Sequence, residues 1–374
     1  MPPQSRSRDR LAAAGVVALV AAALAWWPGS AAAAPRDQLT LSFSGDLLIH
    51  SPIYNEALAN GGGSEYDFAP FFRKLDPYVR DADIAFCHVE VPMSSGAPSG
   101  YPLFNTPPAL AKGLARSGWD ACDTASNHTL DQGSSGIRAT IEALDRNGIA
   151  HAGSYATRKA SGRTTFVRDG DTKVALLAYT TDTNGLVPPH SWSLNTIRTP
   201  GPVIRDARRA RREGADVVIV NMHWGPSFAP EYSSAINSRQ KAFAEDLTAV
   251  KAISAVVGQG PHVVQGIRWM NRKPVVFGEG NLISNQSAAC CSAASQDGLV
   301  ALIDFAVKKK KRPGRIGAVR SMRRSFQPVM VRYMPTFVSR PDYTVTPANT
   351  PALRSSRRRT VEAVGDEDRV RPLK

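Results

Sequence analysis

Ser126-Asn127-His128-Thr129-Leu130-Asp131 decides the fold class of this chain, because it stands where a strand-like run stops and a helix-like run begins. The apolar run Cys122–Ala125 leads into it. Gly136–Asn147 leaves it with apolar residues at helical spacing, and Gly148 closes that helix. An Asn and a His side by side at the carboxyl end of a strand sit where open α/β sheets hold their ligands. Four other segments repeat the arrangement. Gly45-Asp46-Leu47-Leu48-Ile49-His50 follows the run Leu39–Phe43, and His88-Val89-Glu90 ends the run that starts at Ile84. Asn221-Met222-His223-Trp224-Gly225 ends one that starts at Val217, and Gly258-Gln259-Gly260-Pro261-His262 follows Ala255–Val257. Five of the seven histidines therefore fall at or just past strand ends.

Outward from these segments the texture keeps alternating. Thr165–Val167, Val174–Ala178 and Val275–Phe277 read as further strands. Pro70–Arg80, a segment from Pro107 to Ser117, Pro202–Arg212 and Ser238–Lys251 read as helices. Strands alternating with helices of this length predict an α/β fold with largely parallel pairing. Leu299–Val307 and Ile316–Tyr333 read as a hairpin with a basic cluster at its turn. From Val338 onward apolar periodicity stops, and residues 338–374 are expected to be a disordered basic tail. No internal repeat is present.

The 374 residues, 43% hydrophobic and 21% charged, suffice for one large domain or two ordinary ones. Lys and Arg outnumber acids 46 to 32, a net charge of +14. Nine basic residues and no acid lie between Lys308 and Arg324. Lys308, Lys309, Lys310, Lys311 and Arg312 make this a candidate polyanion-binding run, or simply a solvated loop. No nucleic-acid module accompanies it, so nucleic acid is not an expected partner. Arg6, Arg8 and Arg10 precede an apolar run from Leu11 to Trp27 and then the small residues Ser30–Ala34. Residues 1–36 thus read as a secretory signal or an N-terminal membrane anchor, and the protein as extracytoplasmic. Residues 37–337 are the expected domain. Cys87 and Cys122 read as small buried residues, whereas Cys290-Cys291 could bridge to another loop.

Acidic oxygens and neutral imidazoles gathered at strand ends suit a divalent Zn, Mn or Fe ion. Such an ion generates hydroxide at neutral pH, and a pair of ions also steadies the leaving oxygen. A histidine that is not a ligand can protonate that oxygen. Each residue also has a plain reading as a hydrogen-bonded loop side chain or a helix cap. Five coincidences at strand ends favour a shared polar site.

In chain order, Gly45-Asp46, Glu90, Ser126-Asn127-His128-x-x-Asp131, His223-Trp224-Gly225 and Gly258-x-x-Pro261-His262-Val263-Val264-Gln265 resemble the CapA family of capsule synthesis, the poly-γ-glutamate biosynthesis proteins. Phe277-Gly278-Glu279-Gly280-Asn281-Leu282 resembles that family's closing Gly-Asn loop. The family is related to calcineurin-like metallophosphoesterases, and the resemblance covers about Leu39 to Asn285. It implies a metallo-dependent phosphatase-like four-layer α/β/β/α sandwich with its active site at the carboxyl ends of the strands. It further implies one or two divalent ions held by Asp46, His50, Glu90, Asn127, His223 and His262, with Glu90 as the bridge. His128 would be the catalytic acid and Asp131 its orienting partner.

The chain departs from the family pattern at three points. Gly260 replaces the first His of His-Pro-His, His88 stands where Asn is usual and offers an extra ligand, and Asp46 and His50 are further apart than in Asp-x-His. Trp224 and Tyr232 could pack or could line a substrate groove. The expected partners are an anionic envelope polymer or a phosphoester substrate, with other membrane proteins of polymer synthesis alongside. Two functions stay open: a metal-dependent hydrolase or transferase, and a non-catalytic factor that binds or exports an anionic polymer.

Overall fold

The structure, a computed structural model, describes residues 37–311 and 322–373. Strands β1 (Gln38–Leu47), β2 (Ile84–Val89), β3 (Ala121–Asp123) and β4 (Ala150–Ala152) lie side by side in parallel. The chain then builds a second sheet from β5 (Thr165–Asp169), β6 (Thr172–Thr180), β7 (Val217–His223), β8 (Ala255–Gln259), β9 (Ile267–Met270) and β10 (Lys273–Val276), ordered β5-β6-β7-β8-β10-β9. It returns to the first sheet with β11 (Asn281–Ile283), parallel to the end of β1. The long hairpin β12 (Asp297–Lys311) and β13 (Met322–Val338) follows, with β12 antiparallel to β1. β14 (Val345–Pro347) and β15 (Val370–Pro372) both pair with β13. The pairing is therefore mixed, with the parallel strands carrying the ends where the site forms.

Strict alternation along the strands produces four layers. Leu39, Leu41 and Phe43 of β1 and Ile84 and Phe86 of β2 share one core with Val174 and Leu176 of β6, Val217 and Ile219 of β7 and Ala255 and Val257 of β8. That core lies between the sheets. The opposite face of the first sheet packs on α1 (Ser51–Asn60), the short α2 (Ala69–Phe72) and α3 (Asp76–Arg80), α4 (Ala109–Ser117) and part of α5 (Gly133–Arg146). After α6 (Arg158–Ser161), helices α7 (Gly201–Arg212) and α8 (Ser238–Ala249) cover the other face of the second sheet. The result is an α/β/β/α sandwich, as expected. The predicted helix Pro70–Arg80 is split in two between Phe72 and Asp76, and Pro77, which has no N–H to donate, sits in the first turn of α3 where none is needed.

The tail expected to be disordered from Val338 is ordered. β14 and β15 extend the first sheet, and α9 (Arg354–Val364) packs against β12 and β13. Tyr343, Val345, Val364 and Val370 are buried, and Arg359 makes a two-pronged ion pair with buried Asp297 at 2.6 and 2.9 Å. The buried stripe of α9 is Ser356, Thr360 and Val364, spaced four apart but largely polar, so no hydrophobic period announces it.

Cys87 and Cys122 face each other in register on β2 and β3 and form a disulfide; Cys290 and Cys291 are bonded to each other rather than to another loop. No helix among the described residues is long and apolar enough to cross a membrane. The expected signal or anchor, residues 1–36, lies outside the described residues.

Ending the chain after Val338 removes Tyr343, Val345, Val364 and Val370 from the core. Each contributes about 1.5–3 kcal/mol on full burial, which together rivals the total stability of a typical domain. The truncated protein is expected to be insoluble or to melt at least ~10 °C lower by circular dichroism. Glu362→Ala, an exposed control on α9, is expected to melt with wild type. Equal melting of the truncated and full chains would show that this segment does not hold the sandwich together.

Candidate metal centre

The alternation that builds the core also builds the site. In β2, Ile84 and Phe86 point between the sheets; His88 continues that face and Glu90 follows just beyond the strand. In β7 the same face reads Val217, Ile219, Asn221, His223, and in β3 it reads Ala121, Asp123. The space between the sheets thus turns from apolar to polar at the carboxyl ends of the strands.

β1 joins this face only through a bulge. Leu39, Leu41 and Phe43 point inward, so plain alternation would send Asp46 outward. The register slips between Ser44↔Cys87 and Asp46↔His88, and the extra residue turns Asp46 inward opposite His88. Residue 45 must be glycine, since a Cβ there would stand 1.9 Å from the Gly280 carbonyl oxygen.

Two groups of donor atoms result, Asp46/Glu90/His262 and Asp46/His88/His223; within each, the atoms lie within 4.8 Å of one another. All five side chains are buried. Asp46 accepts from the Gly260 N–H at 3.3 Å and lies 3.0 Å from His262 Nδ1 and 3.8 Å from His88 Nε2. His262 sits in left-handed backbone at φ 61°, a conformation its surroundings must enforce. The enforcing contacts are those of its Nδ1 with Asp46 and, at 3.1 Å, with Asn281 Oδ1. Its Nε2 then faces Glu90 Oε1 at 3.8 Å. His88 is gripped at Nδ1 by Asp123 at 2.7 Å, and its Nε2 meets His223 Nδ1 at 3.1 Å. Asn221 donates to the other oxygen of Asp123 at 2.9 Å.

Charge in this pocket is poorly balanced by protein groups alone. Burial pushes Glu90 up to about 7, Asp46 adds to that, and His262 pulls the other way. Burial also drives Glu279 well above the carboxylate range. Burial would lower His88 and His262, yet the carboxylates Asp123, Asp46 and Glu90 raise them to about 9 and about 10. His223 falls well below its ordinary value through burial and the neighbouring imidazoles. Both oxygens of Glu90 and the Oδ1 of Asn127 are buried without a hydrogen-bond partner. A divalent cation among these donors would satisfy the orphaned oxygens, so the residues fit a metal.

A cavity of about 770 Å³ opens beside the cluster and is lined in part by Asn127, His128, Asp131, Tyr232 and His262. His128 Nδ1 lies 2.8 Å from Asp131 Oδ2, which also accepts the Phe104 N–H at 2.8 Å. The Phe104 ring meets the imidazole edge-on at 4.7 Å between centroids, so ring plane and tautomer are both set. Asn127 donates to Asn184 Oδ1 at 3.2 Å.

Several expectations change in detail. The side chain common to both donor groups is Asp46, not Glu90, because the bulge brings Asp46 between the sheets. His88 belongs to the second group outright, since it shares the inward face of β2. His50 belongs to neither group. The chain turns after Ile49, leaving His50 at the start of α1 on the cavity wall, its Nδ1 3.1 Å from the Leu48 carbonyl oxygen. Trp224 packs against Phe228 and Phe243 in the outer core, whereas Tyr232 lines the cavity.

Lys308 is exposed, and the backbone of Lys309, Lys310 and Lys311 continues β12; Arg312 lies outside the described residues. Since Ala306 pairs with Gln38, the run from Lys308 lies beyond the far end of β1, more than ~26 Å from Asp46 at ~3.3 Å per residue.

Sequence reasoning gave no role to Asp123, Asn221, Gln259, Glu279, Asn281 or Asn184, although four of them stand inside the quoted motifs. The first two were findable, because each falls on the inward face of a strand already recognised. Gln259 donates to Glu279 at 2.9 Å behind the cluster. Asn184 arrives on a turn at φ 51° after β6, for which periodicity offers no signal.

Residues 40–286, well over half of the chain, match the family model described as bacterial capsule synthesis protein PGA_cap. The capsule biosynthesis protein CapA of Bacillus anthracis is 24% identical over 290 residues, covering 72% of this chain and 67% of that protein. The PGA biosynthesis protein CapA of Bacillus subtilis is 24% identical over 266 residues, covering 67% of this chain and 64% of the relative. Among solved structures, a calcineurin-like phosphoesterase of Bacillus subtilis aligns over 88% of this chain and 99% of its own at TM-score 0.45 and 16% identity. On the strength of the family match, this chain belongs to the bacterial capsule synthesis protein family PGA_cap.

Proposed function

We propose that the protein is an exported enzyme of capsule or poly-γ-glutamate assembly, a metal-dependent hydrolase or transferase acting on a phosphoester of the cell envelope. The observation that carries this reading is the pair of donor groups sharing Asp46, set beside the His128–Asp131 pair on one cavity wall. Export is supported by the basic and apolar pattern of residues 6–34 and by two disulfides, which persist in oxidising compartments.

Asp46, Glu90 and His262 would hold one divalent ion, Mn, Zn or Fe, and Asp46, His88 and His223 a second, with the Asn127 oxygen at the edge. When bound, such an ion polarises a phosphoryl oxygen and makes water nucleophilic at neutral pH. His128 donates its Nδ1 proton to Asp131, leaving Nε2 to carry a proton to the departing oxygen. Asp131 stabilises the charged imidazole, and Phe104 fixes its plane. Asn184, bonded to Asn127, holds the cavity side of that pair in place. The basic run at the far end of β12 lies too far away to touch the reacting bond. We read it as a tether for anionic polymer, its grip weakened by salt.

Glu90→Gln keeps the shape of the side chain and removes its charge. By elemental analysis, purified wild type is expected to hold near-stoichiometric divalent metal and the variant to lose most of it. A wild type that takes up no Mn, Zn or Fe on reconstitution would sink the reading.

His128→Ala is expected to lower turnover of a phosphoester by about 10²–10⁴-fold with metal content unchanged, as loss of a general acid does. Unchanged turnover would remove His128 from the chemistry.

His88 and His262, raised to about 9 and about 10, carry protons at neutral pH and must shed them to become ligands. Calorimetry in buffers of different ionisation enthalpy is therefore expected to show proton release on Mn²⁺ binding, with affinity rising between pH 6 and 9. Affinity independent of pH would contradict this arrangement of protons.

A further inference from the structure

Five large hydrophobic side chains are exposed among the described residues; three of them line the cavity beside the donor groups, and a fourth, Val187, follows one of these in the chain. Tyr101 is 79% exposed, Leu103 52%, Leu186 36% and Val187 86%. Tyr101, Leu103 and Leu186 line the cavity, and Val187 adjoins Leu186. Solvent-facing apolar groups gathered in one place mark a binding surface. These are also held in place. Ser99 and Asn105 exchange backbone hydrogen bonds at 3.0 Å, and the Ser99 hydroxyl donates to the Leu103 carbonyl at 2.6 Å. On the other side the Leu186 N–H donates to Thr183 and the Thr183 hydroxyl donates back to Leu186 at 2.7 Å.

Charge narrows the occupant. No Lys or Arg is among the described residues lining the cavity, which instead carries the carboxylates Asp131 and Glu231. A polymer with a carboxylate on every unit would meet the carboxylates there and find no Lys or Arg along the wall. A phosphate on a long apolar alcohol presents charge only at its head, where the donor groups sit, and lays its chain along the rim. We infer that the rim of Tyr101, Leu103, Leu186 and Val187 selects a lipid-linked phosphoester, a prenyl- or alkyl-phosphate, as the substrate of the metal centre.

This rests on the hydrolase reading above. In the step, water forms the new bond to phosphorus and the bond from phosphorus to the carrier oxygen breaks. The electron pair stays on that oxygen, which takes its proton from His128.

The test uses the full chain loaded with Mn²⁺ and a series of non-hydrolysable alkylphosphonates from ethyl to decyl, kept below their micelle concentration. Calorimetry is expected to show affinity rising about two- to fourfold per methylene buried, in line with ~0.8 kcal/mol for a fully buried CH₂. Leu103→Ser with Leu186→Ser, both at exposed positions and checked for unchanged melting, is expected to flatten that rise. Affinity independent of chain length in wild type, no phosphonate binding, or an unchanged rise in the double variant would each overturn the inference. So would a flat series alongside wild-type cosedimentation with phosphatidylcholine vesicles that the variant loses, since the rim would then dock on a bilayer. If chain length raises affinity while decyl phosphate is not hydrolysed, the rim assignment stands and the hydrolase reading falls.

Discussion

Asp46 is the point on which the structure turns. Its carboxylate is fully buried between two sheets, within reach of His262, His88 and the Gly260 N–H. A carboxylate in that position is costly unless several donors or a cation surround it. The fold meets the demand from four directions. A bulge at the end of β1 aims the side chain, and Gly45 lets the Gly280 backbone close behind it. The turn after β8 offers an amide, and a strained backbone at residue 262 swings an imidazole onto it. Each of these departs from the most relaxed local choice, and all four converge on one group. Local rules broken together at one place are what a functional site looks like.

The same convergence explains the electrostatics. Asp46, Glu90, Asp123 and Glu279 are all buried within the polar end of the sandwich. The carboxylates raise two imidazoles in return, and burial shifts Glu279 upward toward its neutral form. The protein leaves both oxygens of Glu90 without a donor. A purely structural network would have supplied one, because an unpaired buried acceptor costs about 1–3 kcal/mol. The missing donor leaves room for a cation, and Asp123, itself held by Asn221, fixes His88 beside it.

How much of this was legible in the sequence follows from period. Where a strand alternates, its polar end can be read: Ile84, Phe86 and His88, or Val217, Ile219, Asn221 and His223, announce core and site in one pattern. An α/β fold and most of the cluster were therefore within reach, whereas the four layers came only from the family resemblance. Asp46 as the residue common to both donor groups was not, because a bulge shifts register without changing composition. The C-terminal segment was misread for the opposite reason. Its order rests on Ser356, Thr360 and a few separated valines, and on the Arg359–Asp297 pair, none of which has a hydrophobic period. His50 misled because nearness in sequence to Asp46 is undone by the start of α1.

The division of labour between strands and loops carries one more consequence. Every donor of the two groups except His262 lies on or directly beyond a strand, where neighbouring strands fix its position through backbone pairing. The rim residues lie outside the strands, on two turns braced by local hydrogen bonds and by contacts of Phe104 and Asn184 with the Asn127–Asp131 segment. Chemistry is thereby tied to the alternation that makes the sandwich, and cannot drift without unpacking it. On the proposal made for the rim, selectivity would sit on turns, which vary more freely than the strands they connect. Family members that share the cluster can therefore differ in what they admit to it, and the rim of this chain, apolar and without a cation, is the part that speaks for its own substrate.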